Sequence, residues 1–367
     1  MTKDELIAAL RLQHIPHIGD TTAKKLIAHC GSPAAVFSDK LHQLLRIDGI
    51  GPHTLRELHH SLHLEAAEKE LYFIEANNID HSYFLEPAYP AYLKHCVDGP
   101  ILLFGSGKIN LEGRKIISVV GTRNITAYGR DFCERFIEEL APMDPIIVSG
   151  FALGVDICIH KAAMAQKLQT IGCLAHGLNQ IYPKPHRRYA ASMEQNGGFL
   201  TEFWSTANPD RENFLRRNRI IAGMSEATVV VESAERGGSL VTADMAAGYN
   251  RDVFAVPGRV QDTYSSGCNQ LIKQQKAQLL TSAADLIYML GWELGDKETA
   301  PVQRQLFVEM DETETAIYDY LQLHGRQLLD AIALQCRMPV FKATSTLLNM
   351  EMKGVVRPLP GKLFEAV

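Results

Sequence analysis

The chain has 367 residues, 46% of them hydrophobic and 22% charged, with a formal net charge of −5. That length gives room for two or three domains, and the composition excludes disordered, fibrous and low-complexity proteins. No stretch reaches the roughly 18 uninterrupted apolar residues of a membrane span, the N-terminus lacks a signal peptide's apolar run, and seven scattered cysteines without a C-x-x-C pair suit reduced thiols in a cytoplasm better than a zinc site or disulfide framework.

The first 80 residues read as short helices. Asp4–Gln13 carries Leu6, Ile7 and Leu10 on one face, and Leu55–Leu71 is similarly periodic. Between them a motif occurs twice, Ile15-Pro-His-Ile-Gly19 and Ile47-Asp-Gly-Ile-Gly51, each leading into a helix. This is the helix-hairpin-helix pattern, whose helix-start N–H groups can hold a phosphate. A bundle that merely turns on its glycines fits equally well. Residues 81–110 form a proline-rich connector that ends in the strand-like Ile101–Phe104.

From Lys115 onward, short apolar runs alternate with helical stretches. The expected strands are 116–120, 146–149, 170–175, 199–203, 227–232, 252–256 and 278–280. Helical patterns fall at Tyr128–Leu140, Asp156–Lys167, Leu240–Asn250 and Ala283–Leu290. Continuous Val/Ile runs mean strands buried on both faces, and strand–helix repetition implies a doubly wound, Rossmann-like parallel sheet, so the fold class is α/β. Trp292–Asp311 breaks the alternation and reads as a linker. Three helices (Glu312–Leu321, Gln327–Cys336, Val340–Lys353) and a Pro-Gly hairpin then follow the winged-helix plan. The expected domains are therefore 1–80, 81–291 and 312–367, joined by 292–311. Residues 291–367 are net acidic, which leaves both protein docking and DNA reading open for the tail.

Residues 81–290 hold 21 Lys/Arg against 20 Asp/Glu, whereas the flanking segments are each acidic, 8 against 11. Any polyanion site is therefore a local patch in the middle, at Lys184–Arg188 or Arg211–Arg219. The strand-to-helix loops carry Gly121 and Arg123, Ser149 and Gly150, Gly177, and Gly237-Gly238-Ser239. Such loops aim backbone N–H groups at anions. Neither a dinucleotide fingerprint, a P-loop nor a nucleophile elbow is present. Asp156, His160, Glu202 and Glu232 could supply acid/base groups, or could simply cap and brace loops. The sharpest feature is RENFLRRNRIIAG (211–223): four arginines around Phe214, beside Asn213 and Asn218. Cations track phosphates and an aromatic face stacks an unpaired base, a combination suited to single strands. A solvated helix with Phe214 in the core is the plainer alternative.

Ordered blocks strengthen this reading: VVGTR (119–123), VSGFALGVD (148–156), GLNQIYP (177–183), GGFLTEF (197–203), FLRRNRIIAG (214–223), VVVESAERGGSLVTA (229–243), FAVPG (254–258) and SGCNQLI (266–272). Through them the chain resembles the DNA-processing protein A (DprA/Smf) family. The resemblance implies a non-enzymatic protein, with no catalytic residue, metal or cofactor. It would bind single-stranded DNA without sequence preference, dimerise through the Rossmann-like domain, and help load a RecA-type recombinase in natural transformation. It places Gly121 and Arg123 at the DNA backbone, with Ser149 and Gly150 adding backbone donors. Arg211 and Phe214 would meet phosphate and base, Arg217 and Asn218 would shape the pocket, and Gly237, Gly238 and Ser239 would line its far side. Two positions depart from the family: Gly237 stands where a serine is common, and Arg211 where lysine is expected. If Arg123, Arg211 and Arg217 each hold a phosphate, the salt dependence has a log–log slope of roughly −2. A rival reading is a nucleotide-processing enzyme of the lysine-decarboxylase-like phosphoribohydrolase type, whose Gly-Gly-x-x-T loop Gly237–Thr242 resembles. Arg123 and Arg217 would then clamp a phosphate while Glu202 or Glu232 assisted cleavage. A third is an adaptor that recruits a recombinase and touches no DNA.

Overall fold

The apolar runs of the middle segment lie side by side at the centre of a nine-stranded sheet. The computed structural model describes residues 1–293, 310–359 and 363–366, which belong to two units, Met1–Gly295 and Asp296–Val367. The first unit begins with helices α1 (Lys3–His14), α2 (Asp20–Cys30), α3 (Pro33–Ser38), α4 (Leu41–Leu44), α5 (Pro52–Leu55) and α6 (Ser61–Ala76). Next come β1 (Asp80–Tyr83), α7 (Ala91–Lys94) and β2 (Leu102–Gly107). The alternating part is β3 (Ile116–Val120), α8 (Ala127–Leu140), β4 (Ile146–Ser149), α9 (Val155–Ala165), β5 (Thr170–Cys173), α10 (Arg187–Gln195) and β6 (Gly197–Thr201). It continues with α11 (Arg211–Gly223), β7 (Ala227–Val230), α12 (Gly238–Gly248), β8 (Asp252–Ala255), α13 (Ser266–Lys273), β9 (Gln278–Leu279) and α14 (Ala283–Met289).

The strand order is β1-β2-β6-β5-β4-β3-β7-β8-β9. From β6 to β9 all neighbours are parallel, while β1 and β2 add an antiparallel edge. Successive residues of a strand face opposite sides, so each Val/Ile run feeds two cores. Ile116, Ile146 and Val148 pack on one face, whereas Ile117, Ile147 and Val119 pack with α8 and α9 on the other. The chain leaves β3 in one direction and β7 in the other. Their carboxyl ends thus form a topological switch point, where doubly wound sheets open a crevice.

Three local expectations differ from the structure. The periodic stretch Leu55–Leu71 is not one helix: α5 ends at Leu55 and α6 starts at Ser61. The strand β1 carries no apolar signal, because Asp80 and His81 are exposed at the sheet edge. The span Trp204–Arg219, expected from the strand-to-helix alternation to be the loop after 199–203, becomes helical at Arg211, where the Asp210 side chain accepts from Asn213 N at 2.8 Å.

The N-terminal helices pack their apolar face on Tyr83, Ile101, Leu102 and Phe104 of the antiparallel edge. They also brace the chain around α11. Arg219 lies between Asp20 of α2 (3.0 Å) and Glu202 (2.5 Å), Trp204 donates to Gln13, and Ser205 donates to Glu70.

The second unit contains α15 (Glu312–His324), β10 (Gln327–Leu328), α16 (Leu329–Gln335), α17 (Val340–Met352), β11 (Val356–Leu359) and β12 (Leu363–Ala366). The strands form a β10-β12-β11 sheet beside a core of Ile317, Leu321, Ile332, Leu347 and Met350, the winged-helix arrangement. Its second helix is shorter than expected, since Gln327 and Leu328 pair with β12. Most of the expected linker lies outside the described residues, and Trp292 at its start is buried against the sheet unit, donating to Glu226. Among the described residues no helix is long and apolar enough to cross a membrane.

The Arg219 cluster yields a stability prediction. Arg219→Met leaves the buried Glu202 carboxylate with only the exposed Arg216 as an ion-pair partner and strips Asp20 of its ion pair, so unfolding in urea should show a loss of about 3–5 kcal/mol. Burial raises the Glu202 pKa against the pull of Arg219 and Arg216. The native state then holds that proton more tightly than the unfolded chain, so the defect should shrink as pH falls.

Candidate nucleic-acid interface

The switch-point crevice is a cavity of about 590 Å³. Its walls come from the loop after β3 (Gly121–Arg123), the start of α9, one face of α11, and the loop from β7 into α12. Two glycines let these loops approach each other. A Cβ on Gly121 would collide with Val155 and the Glu232 carbonyl. Gly154, at φ +81°, lies against the backbone of Thr122 and Arg123. Glu232 clamps the same loop: its carbonyl accepts from Thr122 N (2.7 Å), and its carboxylate from Thr126 N (2.9 Å) and Oγ1 (2.5 Å).

Helix α11 divides the arginine cluster between two faces. Arg211, Phe214, Arg217 and Asn218 line the crevice at spacings of three to four residues, while Arg216 and Arg219 turn to Glu202. Phe214 is half-buried, with the exposed Arg123 guanidinium 5.3 Å from its ring centroid. Tyr182, 44% exposed, sits 5.9 Å from Phe214 ring to ring. Sequence reading missed Tyr182; its signal was an aromatic residue in the third strand-to-helix loop.

Arg217 is different, being only 4% exposed. It donates to the carbonyls of Gly150 (2.6 Å) and Cys173, and through Nε to Asn218 (3.3 Å). Burial lowers its pKa, and the opposite charge of Asp156 works against that. Its hydrogen bonds therefore organise the site from behind, and the expectation of a third phosphate-holding arginine is corrected: Arg123 and Arg211 are the exposed cations.

The structure does not bring Ser149 and Gly150 to the crevice as donors. Ser149 is fully buried with its Oγ donating to Val119 O at 2.6 Å, and Gly150 N donates to Asp156 Oδ2 at 3.1 Å. Gly150 must be glycine because a Cβ would overlap the Arg217 guanidinium. On the far wall, Gly237, Gly238 and Ser239 form the start of α12, a helix end with no side-chain cap that lines the cavity. Ser239 Oγ donates to Ser233 Oγ (2.9 Å), bracing that turn.

The acid/base candidates are occupied structurally. The Asp156 carboxylate accepts from Gly150 N and Ala152 N, and burial raises its pKa against the pull of Arg217. His160 is fully buried against Thr170 Oγ1 (2.7 Å), and desolvation with neighbouring His186 and Arg217 lowers its pKa to about 3. Glu202 and Glu232 are held by the arginines and by Thr126 as described. Among the described residues no His, Cys, Asp and Glu side chains gather in a group that could hold a metal ion.

Fold and site together define a Rossmann-like protein with a cationic, aromatic-walled crevice at its switch point. Comparison with known proteins makes the class specific. The family profile of DNA recombination-mediator protein A matches residues 81–291, and that of the DprA winged helix domain matches 298–362. Protein Smf of Escherichia coli is 37% identical over 278 residues, 74% of each chain. DNA processing protein DprA of Bacillus subtilis is 42% identical over 200 residues, 54% of this chain and 67% of that one. Among solved structures, DNA processing protein A from Streptococcus pneumoniae superposes with a TM-score of 0.67 at 29% identity, covering 78% of this chain and 98% of that one. A second, from a study of the single-stranded DNA binding mode of DNA processing protein A from Helicobacter pylori, gives 0.52 at 28% identity, covering 57% and 95%. The chain belongs to the DNA recombination-mediator protein A (DprA/Smf) family.

His160 gives the pH prediction of this site. The native state keeps it neutral, whereas the unfolded chain protonates it near its ordinary value of about 6.5. Its stabilising contribution is thus present at neutral pH and lost as pH falls from there toward 3. Urea midpoints measured from pH 7 to pH 4 should fall less steeply for His160→Gln than for the parent.

Proposed function

We propose that this recombination mediator binds single-stranded DNA, without sequence preference, in the switch-point crevice. The observation that carries the reading is the half-buried Phe214 ring on the crevice wall, with Arg123 beside it and Arg211 one helical turn away. Guanidinium groups and the start of α12 suit phosphates, and the aromatic face suits an unstacked base. The Helicobacter pylori relative, whose structure concerns single-stranded DNA binding, supports it. On this reading Gly121, Arg123, Arg211, Phe214, Asn218, Gly237, Gly238 and Ser239 contact or frame the strand, and Arg217 shapes the pocket from behind. The protein works in the cytoplasm as a homodimer that helps load a RecA-type recombinase onto incoming DNA during natural transformation. The nucleotide-hydrolase reading is disfavoured by the ion pairs and hydrogen bonds that hold Glu202 and Glu232.

Fluorescence anisotropy with labelled oligo-dT, matched duplex and AMP over a salt series tests the proposal. Two exposed arginines should set a log–log slope of about −1.4, at about −0.7 per neutralised phosphate. Arg123→Ala should abolish tight binding. Phe214→Ala should weaken it by about 1–3 kcal/mol, roughly five- to 150-fold. Duplex should bind far more weakly than single strand. Flat anisotropy with the oligonucleotide, together with binding of AMP, would overturn the proposal.

A further inference from the structure

Two histidines meet where the N-terminal helices touch the loop that enters α11. His14 ends α1, and His63 lies in the first turn of α6. Their Nδ1 atoms are 2.8 Å apart, and the rings stand edge to face. On its other side His63 bonds Glu57 Oε2 through Nε2 at 3.3 Å. His14 stacks on the Trp204 indole, with centroids 5.0 Å apart, and the indole N–H donates to Gln13 of α1 at 3.0 Å. Two turns further along α6, Glu70 accepts from Ser205 N (2.7 Å) and Oγ (2.6 Å). Trp204 and Ser205 are thus fastened to α1 and α6, and their loop runs on into Pro209, Asp210 and Arg211 of the crevice wall.

Counting protons fixes what this pair tolerates. A carboxylate only accepts, so His63 Nε2 carries a hydrogen, and while that ring is neutral its Nδ1 is an acceptor. His14 Nδ1–H is then the donor. A first extra proton enters without loss, because His14 takes it on Nε2 and keeps the same N–H···N bond. A second puts hydrogen on both facing Nδ1 atoms and a positive charge on both rings, so the contact must open. His63 is 2% exposed and bonded to Glu57, whereas His14 is exposed. His14 is therefore the ring that leaves, and Trp204 loses the ring stacked on it.

We propose that His14 and His63 are positioning residues that latch Trp204, and with it the loop into α11, and that release both when the pair gains its second extra proton, lowering affinity for a single strand. The link to the strand rests on the crevice reading above; the latch itself does not. The other charged and titratable groups facing the pair are Arg11 on α1, and Glu57 with Arg56 and His60 before α6. Across a cavity of about 250 Å³ lie Asp20, Glu202 and Arg216. Asp20 is paired with Arg219, and Glu202 with Arg216 and Arg219, so Glu57, on the His63 side, is the carboxylate that steadies a charge here. Partial burial, and then the like charge of His63, lowers the His14 pKa from its ordinary 6.5. The closed pair thus binds protons less readily than the open one, so it prevails at neutral pH and is lost as pH falls below about 6.5.

The test uses the full chain labelled with ¹⁵N at the indoles of its two tryptophans, with Trp204→Phe identifying the Trp204 signal. NMR spectra and oligo-dT anisotropy are recorded at constant salt from pH 7.5 down to pH 5. The Trp204 indole signal should shift in a step below about pH 6.5 while that of Trp292 stays. Oligo-dT affinity should fall with the same midpoint, about tenfold once nine-tenths of the molecules are open, since only the closed form binds tightly. His14→Gln, at an exposed position and with no ring to titrate, should remove both the step and the tenfold loss. A Trp204 signal that stays constant, or that shifts equally in His14→Gln, would overturn the latch. An equal loss of affinity in parent and His14→Gln would overturn its link to the strand. If the parent binds no oligo-dT even at pH 7.5, the crevice reading fails, and the indole signal still decides the latch.

Discussion

A guanidinium taken out of water must find polar partners at once, and the placement of Arg217 follows from that constraint. From α11 it reaches the carbonyls at the ends of β4 and β5, Gly150 and Cys173. The approach is possible only because Gly150 has no side chain, and Gly150 is itself held through its N–H by Asp156. A charge this deeply buried is destabilising if any partner is lost, so the network tolerates little displacement. With Arg217 fixed, the helical period places Arg211 and Phe214 on the crevice wall.

The opposite face of α11 is fixed by the same physics. Arg219 is compensated by Glu202 and Asp20 strongly enough that its pKa rises although burial opposes this. Because Asp20 lies at the start of α2, the N-terminal helices are coupled to the binding helix by charge as well as by apolar packing. Trp204 with Gln13 and Ser205 with Glu70 secure the loop that leads into α11. The acidic balance of the first 80 residues is thus partly structural: Asp20 and Glu70 serve the loop before α11 and α11 itself, within the same unit.

Most of the sheet was legible because strands buried on both faces must be apolar throughout, as Ile116–Val120 and Ile146–Ser149 are. The loops carrying Gly121, Arg123 and Gly237–Ser239 were legible for a related reason, since a parallel sheet exposes such loops at one edge. Which arginine faces which way was not. The helix starts only at Arg211, set by the Asp210 cap, and that register decides that Arg217 goes inward and Arg216 outward. The donors expected of Ser149 and Gly150 are not free because Ser149 is buried on Val119 O and the Gly150 N–H is taken by Asp156.

A protein of net charge −5 holds a polyanion only where the local field differs from the average. At physiological salt, charges beyond about 8 Å are largely screened, so distant acids neither help nor prevent binding. What matters is the small set inside the crevice: two exposed guanidinium groups, a helix start and an aromatic face. Such a set grips a few nucleotides by backbone and stacking, with no inventory of donors and acceptors for reading base edges. Tolerance of sequence follows directly. On the proposed reading so does a hold of modest depth, which would suit a mediator that has to release the strand again.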